Sequence, residues 1–156
     1  LVRRLVDEEI PVVAHIGLTP QSVYKMGGYR VQGRTAEQAK RLIEDAKLLE
    51  EAGAFAIVLE LVPREVAQMI TDELSISTIG IGAGLGCDIQ VLVLHDLVGM
   101  TFGRQPRFVR QYANVRDVMT DAIQNWARDV RSGSYPADAE SYGLTEETLS
   151  ELKGSQ

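Results

Sequence analysis

Residues 55–60 read FAIVLE, which is five apolar residues followed by a single carboxylate. The apolar residues do not alternate with polar ones, so both faces of the predicted strand are expected to be buried, as in a parallel sheet. Gly53 ends the segment before it, and Pro63 suits the first turn of a helix that continues to about Leu74. The stretch therefore predicts a strand followed by a helix, with Glu60 at the C-terminal end of the strand.

Upstream of this unit, residues 10–16 form an apolar run that is rich in β-branched residues and predicts another strand. Residues 17–34 are glycine-rich and lack periodicity, and loops of this length inside a domain are usually functional. A helix is then predicted to begin after Thr35 as its N-cap, with Gln38 three residues on as in a capping box. The apolar face of that helix is formed by Ala39, Leu42, Ile43, Ala46 and Leu49.

Downstream, residues 76–81 and 90–94 predict two further strands, and helices are predicted around residues 107–112 and 115–131. Buried strands that alternate with helices indicate βα units and a parallel sheet. An open doubly wound sheet and one half of a (βα)₈ barrel both fit this order. A complete barrel typically takes about 250 residues, so a chain of 156 residues would hold roughly half of one.

The charge and the apolar pattern exclude some classes of partner. The net charge is −6, and because phosphate binding needs a basic face we expect no nucleic-acid partner. No apolar run approaches the roughly 20 residues that a membrane span needs, so no membrane partner is expected. Cys87 is the single cysteine, and no base lies beside it in sequence, which favours a small loop or core residue over a nucleophile.

Two side chains lie at the C-terminal ends of predicted strands, where parallel α/β enzymes carry their catalytic residues. Glu60 could accept a proton if its surroundings exclude water, or it could be a surface or helix-capping residue before Pro63. His15 ends the first predicted strand, where either a structural or a catalytic role is open. His95 and Asp96 follow the fourth strand, and helix capping by Asp96 is the simpler interpretation.

The glycine run at residues 80–84, GIGAG, lacks the spacing of a dinucleotide fingerprint or a P-loop. Tight backbone packing at a strand end is the better interpretation of these glycines. The sequence also contains no HExxH or CxxC motif and no cluster with metal-ligand spacing.

Several segments, in order and with matching spacing, resemble the ketopantoate hydroxymethyltransferase family. The stretch from HIGLTPQS to VQGR is the most specific of them. The likeness extends over residues 1–142, and residues 143–156 are a polar C-terminal tail. The segments are HIGLTPQS at 15–22, GGYRVQGR at 27–34, VLELVP at 58–63, IGIGAG at 79–84, LVLHD at 92–96 and PRFV at 106–109.

This resemblance implies a (βα)₈ barrel of the phosphoenolpyruvate/pyruvate type, of which this chain would hold the last four strands. It implies transfer of a hydroxymethyl group from 5,10-methylenetetrahydrofolate to α-ketoisovalerate, with Glu60 as the proton acceptor and His15 in the substrate pocket. A Mg²⁺ ion would hold the keto acid through ligands in the first half of the barrel, which this chain lacks. A large homo-oligomer, a decamer, in the cytoplasm is also implied.

The sequence departs from the family pattern at two places. Ile89 stands where family members usually have glycine, and residues 140–142 read ESY where HSF is common. Two other functions stay open at this point. The first is a different carbon–carbon lyase or transferase on the same type of barrel, which the retained loop argues against. The second is a non-catalytic half-barrel that acts as a binding or assembly module.

Overall fold

A computed structural model describes residues 1–22, 28 and 30–154. Residues 23–27 and 29 of the predicted 17–34 loop, which include Gly27 and Tyr29 of the GGYRVQGR segment, therefore lie outside the described residues. The helices are α1 (Val2–Asp7), α2 (Ala36–Glu51), α3 (Arg64–Glu73), α4 (Leu94–Leu97), α5 (Val115–Ser132) and α6 (Glu146–Gly154). The strands are β1 (Val13–Gly17), β2 (Ala56–Glu60), β3 (Ser77–Ile81) and β4 (Ile89–Gln90).

The four strands form one sheet in the order β1-β2-β3-β4, and every neighbouring pair is parallel. This confirms the predicted α/β fold with four parallel strands. In the register of the sheet, Glu60 lies beside Gly17 on one side and Ile81 on the other. The C-terminal ends of the first three strands are therefore level, and their last side chains emerge at one edge of the sheet.

The core lies on one face of the sheet, between the strands and helices α2 and α3. Ile57 and Leu59 of β2 are fully buried, and Ile70 of α3 is buried with them. From α2, Ala46 is buried and Leu42 is partly buried against the same cluster, which confirms the predicted apolar face of that helix. This core fixes β2, and Glu60 is the last residue of that strand.

The predicted cap of α2 is confirmed, with one difference. The backbone N–H of Gln38 donates to the hydroxyl of Thr35 at 3.2 Å, as an N-cap requires. The amide oxygen of Gln38 accepts from the backbone N–H of Arg34 at 3.1 Å, rather than from that of Thr35. The side chain therefore reaches one residue further back than in the standard capping box.

The chain after β3 differs from the prediction. The strand predicted for residues 90–94 is wrong beyond Gln90, because the ladder ends after the N–H of Val91 donates to Gly80. Helix α4 then begins at Leu94. The helix predicted around residues 107–112 is also wrong, because the N–H of Tyr112 donates instead to Leu97 at the end of α4. An apolar run of this length cannot by itself separate a strand from a short helix.

Helix α5 is confirmed within a residue of its predicted bounds, but it has no buried residue. Its apolar side chains stay exposed, and they are Val118, Met119, Ile123, Trp126 and Val130. Helix α6 lies in the predicted polar tail and is exposed as well. Across residues 1–22, 28 and 30–154, every helix is too short or too polar to span a bilayer.

Candidate active site

His15 and Glu60 lie on adjacent strands and project from the same face of the sheet. His15 is level with Val58, which precedes Glu60 by two residues. Because side chains alternate along a strand, Val58, Glu60 and His15 share one face, opposite to the face that α2 and α3 cover. The parallel register of β1 and β2 thus brings together two residues that are 45 positions apart in the sequence.

The two side chains face each other directly. The Nε2 atom of His15 lies 3.2 Å from the Oε2 atom of Glu60. The side chain of Glu60 is 14% exposed, whereas that of His15 is 33% exposed. A carboxylate that is mostly shielded from water, next to a more open imidazole, has the geometry of a proton acceptor beside a group that can contact a ligand.

The residue that follows Glu60 has an unusual backbone. Leu61 has a φ of 50°, in the left-handed region that costs an L-residue about 1–2 kcal/mol. The residue gave no signal in the sequence, because leucine has no preference for this conformation. Strained backbone of this kind clusters at functional sites, and Leu61 directly follows Glu60.

Asp96 and the glycine run make structural contacts outside the pair formed by His15 and Glu60. The carboxylate of Asp96 accepts a hydrogen bond from the hydroxyl of Thr101 at 2.5 Å, and Asp96 lies inside α4 rather than at its cap. The exposed His95 is also on α4. The glycine run is packed tightly, as predicted: a Cβ at Gly80 would lie 2.9 Å from the Sγ atom of Cys87.

Cys87 is a buried residue of the core cluster, as the sequence predicts. Burial raises the pKa of its thiol, which lowers the fraction of nucleophilic thiolate. Within the part of the chain that the structure describes, no three His, Cys, Asp or Glu side chains come together to hold a metal ion. Glu60 with His15 is therefore the candidate site.

Comparison with known proteins gives a consistent result. Residues 1–138 match the ketopantoate hydroxymethyltransferase family. The chain is 51% identical over 151 residues to a 3-methyl-2-oxobutanoate hydroxymethyltransferase of Clostridioides difficile, covering 97% of this chain and 55% of that protein. It is 53% identical over 153 residues to the enzyme of the same name from Koribacter versatilis, covering 98% of this chain and 52% of that protein.

The chain spans about half the length of the curated relatives that it matches. A third relative, the 3-methyl-2-oxobutanoate hydroxymethyltransferase of Clostridium botulinum, is 54% identical over 151 residues, which is 97% of this chain and 55% of that protein. Identity of this degree over nearly all of the chain, together with the family match over 138 residues, leaves one assignment. The chain belongs to the ketopantoate hydroxymethyltransferase family.

Proposed function

We propose that the complete natural protein transfers a hydroxymethyl group from 5,10-methylenetetrahydrofolate to 3-methyl-2-oxobutanoate, which gives ketopantoate. The observation that carries this proposal is the contact of His15 and Glu60 at the C-terminal ends of β1 and β2. The names of the relatives support the keto acid as substrate and hydroxymethyl transfer as reaction.

Glu60 is the proposed general base. A carbon beside a ketone loses a proton when a base lies within reach and the enolate is stabilised. An ionised carboxylate accepts hydrogen bonds without donating any, and at 14% exposure few water molecules compete for it. Its place at the end of β2 lets a small substrate approach the edge of the sheet, as in other parallel α/β enzymes.

His15 is proposed to bind the keto acid. Its imidazole is more exposed than the carboxylate of Glu60, so a substrate anion can reach it. The same ring lies 3.2 Å from Glu60 and restricts where the carboxylate can turn. His15 thus places the C3 proton of a bound keto acid close to the carboxylate that removes it.

The sheet is proposed to be half of a (βα)₈ barrel, completed by residues outside this chain. In a closed barrel each strand pairs on both edges, whereas β1 and β4 each pair on one edge within the described residues. The Mg²⁺ ion that the resemblance implies is proposed to bind to residues outside this chain. A homo-oligomer in the cytoplasm is part of the same proposal, and the exposed apolar face of α5 offers a surface for such packing.

The test is substitution of the proposed base in the complete natural protein. Glu60→Gln keeps the size of the side chain and removes its charge, so exchange of the C3 proton of 3-methyl-2-oxobutanoate with deuterated water is expected to fall by about 10²- to 10⁴-fold. Binding of the keto acid, measured by calorimetry, is expected to change little. Both measurements report directly on the step assigned to Glu60.

Glu65→Gln is the matched control, because Glu65 is an exposed residue of α3 whose carboxylate accepts a hydrogen bond from the exposed Arg64. It should exchange the C3 proton at the wild-type rate. Wild-type exchange in the Glu60→Gln protein would remove Glu60 as the base, and no hydroxymethyl transfer by the unsubstituted protein would refute the proposed function.

A further inference from the structure

Leu61 and Glu9 are the two residues other than glycine that have a positive φ in the described part of the chain. Glu9 has a φ of 59° and lies in the exposed turn after α1, where its N–H donates to Val6 at 2.9 Å and the N–H of Ile10 donates to Leu5 at 3.0 Å. Leu61, with a φ of 50°, lies between the end of β2 and the start of α3. A strained leucine at this place persists only because its surroundings impose the conformation.

Three backbone hydrogen bonds hold this turn. The N–H of Leu61 donates to the carbonyl of Ile81 at 2.9 Å, and the carbonyl of Leu61 accepts from the N–H of Gln32 at 2.8 Å. One residue earlier, the carbonyl of Glu60 accepts from the N–H of Leu18 at 2.8 Å. The partners come from three separate segments of the chain, so the conformation of Leu61 is fixed from three sides.

The left-handed turn changes the direction of the chain within a single residue. Val62 immediately enters the helix-side core, where it is 2% exposed, and Pro63 is the N-cap of α3. Val62 therefore packs in the core on the helix side instead of following Glu60 along the face that carries His15. The carboxylate of Glu60 is therefore left facing His15 rather than covered by the following backbone.

We propose that Leu61 is a positioning residue, whose left-handed backbone aims the Glu60 carboxylate at the substrate. This inference rests on the proposed function, because it assigns a way of orienting the proposed base. The required property is the backbone conformation and not the leucine side chain. Residues that tolerate a positive φ should therefore replace Leu61, and residues that resist it should not.

The experiment compares three substitutions at Leu61 in the complete natural protein. Asparagine tolerates the left-handed region, alanine less so, and a β-branched valine is a true outlier there. For Leu61→Val we expect kcat to fall on the order of 10- to 100-fold, with the KM for the keto acid within about twofold of wild type. Leu61→Asn should keep kcat within about threefold of wild type, and so should Leu61→Ala, because alanine resists the left-handed region no more than leucine does.

The matched control is Glu9→Val, which imposes the same backbone conflict in a turn remote from the site. It should lower the midpoint temperature of thermal unfolding and leave kcat unchanged, because its effect is on stability alone. If Leu61→Val fails to fold, the comparison of Leu61→Asn with Leu61→Ala decides the question. The proposal predicts that both variants keep kcat within about threefold of wild type, whereas a role of the leucine side chain predicts that both lose it.

The outcomes separate this inference from the proposed function. Suppose that Glu60→Gln has lost C3 exchange. The positioning role alone would then be refuted by a wild-type kcat in folded Leu61→Val, or by equal losses of kcat in the asparagine and alanine variants. C3 exchange at the wild-type rate in Glu60→Gln would show that Glu60 is not the base. Leu61 would then have no base to position.

Discussion

Gly17 leaves no space for a side chain beside Glu60. A Cβ built on Gly17 would overlap the carbonyl oxygen of Glu60 and lie 2.8 Å from a methyl group of Val62. The two residues are register partners at the ends of β1 and β2, and the N–H of the next residue, Leu18, donates to that same carbonyl. The strands thus approach closely at the point where His15 and Glu60 meet.

Replacement of Gly17 by alanine should therefore disturb the site as well as the fold. Gly17 has a φ of 87°, and a methyl group there would push the carbonyl of Glu60 away from β1. We expect Gly17→Ala to lower the free energy of unfolding by about 1–3 kcal/mol or more and to slow C3 exchange. Gly133→Ala is the control, because Gly133 has a φ of 73° with nothing within 4 Å of an added Cβ. Exchange slowed equally by both substitutions would show that the close approach at Gly17 has no role in the site.

Replacement of His15 by alanine should weaken binding of the keto acid. The substitution removes the imidazole that lies 3.2 Å from the carboxylate of Glu60. Loss of one hydrogen bond to a charged group is worth about 1.5–3 kcal/mol, so the KM should rise by roughly 10- to 100-fold. His95→Ala is the control, since His95 is the other histidine of the chain and is exposed on α4. Steady-state kinetics measure both variants, and an unchanged KM and kcat in His15→Ala would return His15 to a structural role.

The parts of the fold that the sequence predicts well are those where local signals agree with tertiary packing. The apolar run before Glu60 predicted a buried parallel strand, and both the strand and the position of Glu60 at its end are found. The cap at Thr35 was predicted because a hydroxyl at this position has one strong local use. Glu60 and His15 were both selected as candidates, but their contact was not predictable, because it depends on the register of two strands.

The parts that the sequence does not predict are decided by contacts between distant residues. Val91 to Leu94 looks like a strand, yet the fourth strand ends at Gln90 and a helical turn begins at Leu94. Residues 107–112 look helical, yet Tyr112 donates its N–H to Leu97 instead of to its own segment. Leu61 gives no local signal at all, because its strained conformation is imposed by Ile81 and Gln32.

Asp88 should stabilise the protein in a pH-dependent way. Its carboxylate accepts from the backbone N–H of Thr78 at 2.8 Å and from the hydroxyl of Thr78 at 3.0 Å. These hydrogen bonds lower the pKa of Asp88, and Thr78 is fully buried. Asp88→Ala would leave the N–H of Thr78 without its acceptor, so we expect a loss of about 1–3 kcal/mol in the free energy of unfolding at neutral pH.

The sign of the pH effect follows from the lowered pKa. The folded protein holds Asp88 ionised at pH values where the unfolded chain has begun to protonate it, so the stabilisation is complete above about pH 3.9 and is lost as the pH falls through the folded-state pKa. The free energies of unfolding of the wild-type and Asp88→Ala proteins can be measured with urea between neutral and acidic pH. They should differ by a constant amount that shrinks only in acid. Asp45→Ala, an exposed change on α2, should stay within about 0.5 kcal/mol of wild type. A difference that grows in acid would contradict the assigned hydrogen bonds.

Residues 1–156 produced alone should self-associate and lack C3 exchange. Within the described residues, β1 and β4 each leave one edge unpaired, Val13 is exposed on the face that carries His15, and Trp126 is exposed on α5. Unpaired edges and apolar patches of this kind promote association between chains.

Light scattering should therefore show concentration-dependent assembly, and Val13→Lys should reduce it by placing a charge on the edge strand. Addition of the proposed remaining half of the barrel, made separately, should restore exchange, because on the proposed function it supplies the other strands and the metal ligands. A monomeric chain that exchanges the C3 proton by itself would contradict the half-barrel and place all the necessary chemistry within these 156 residues.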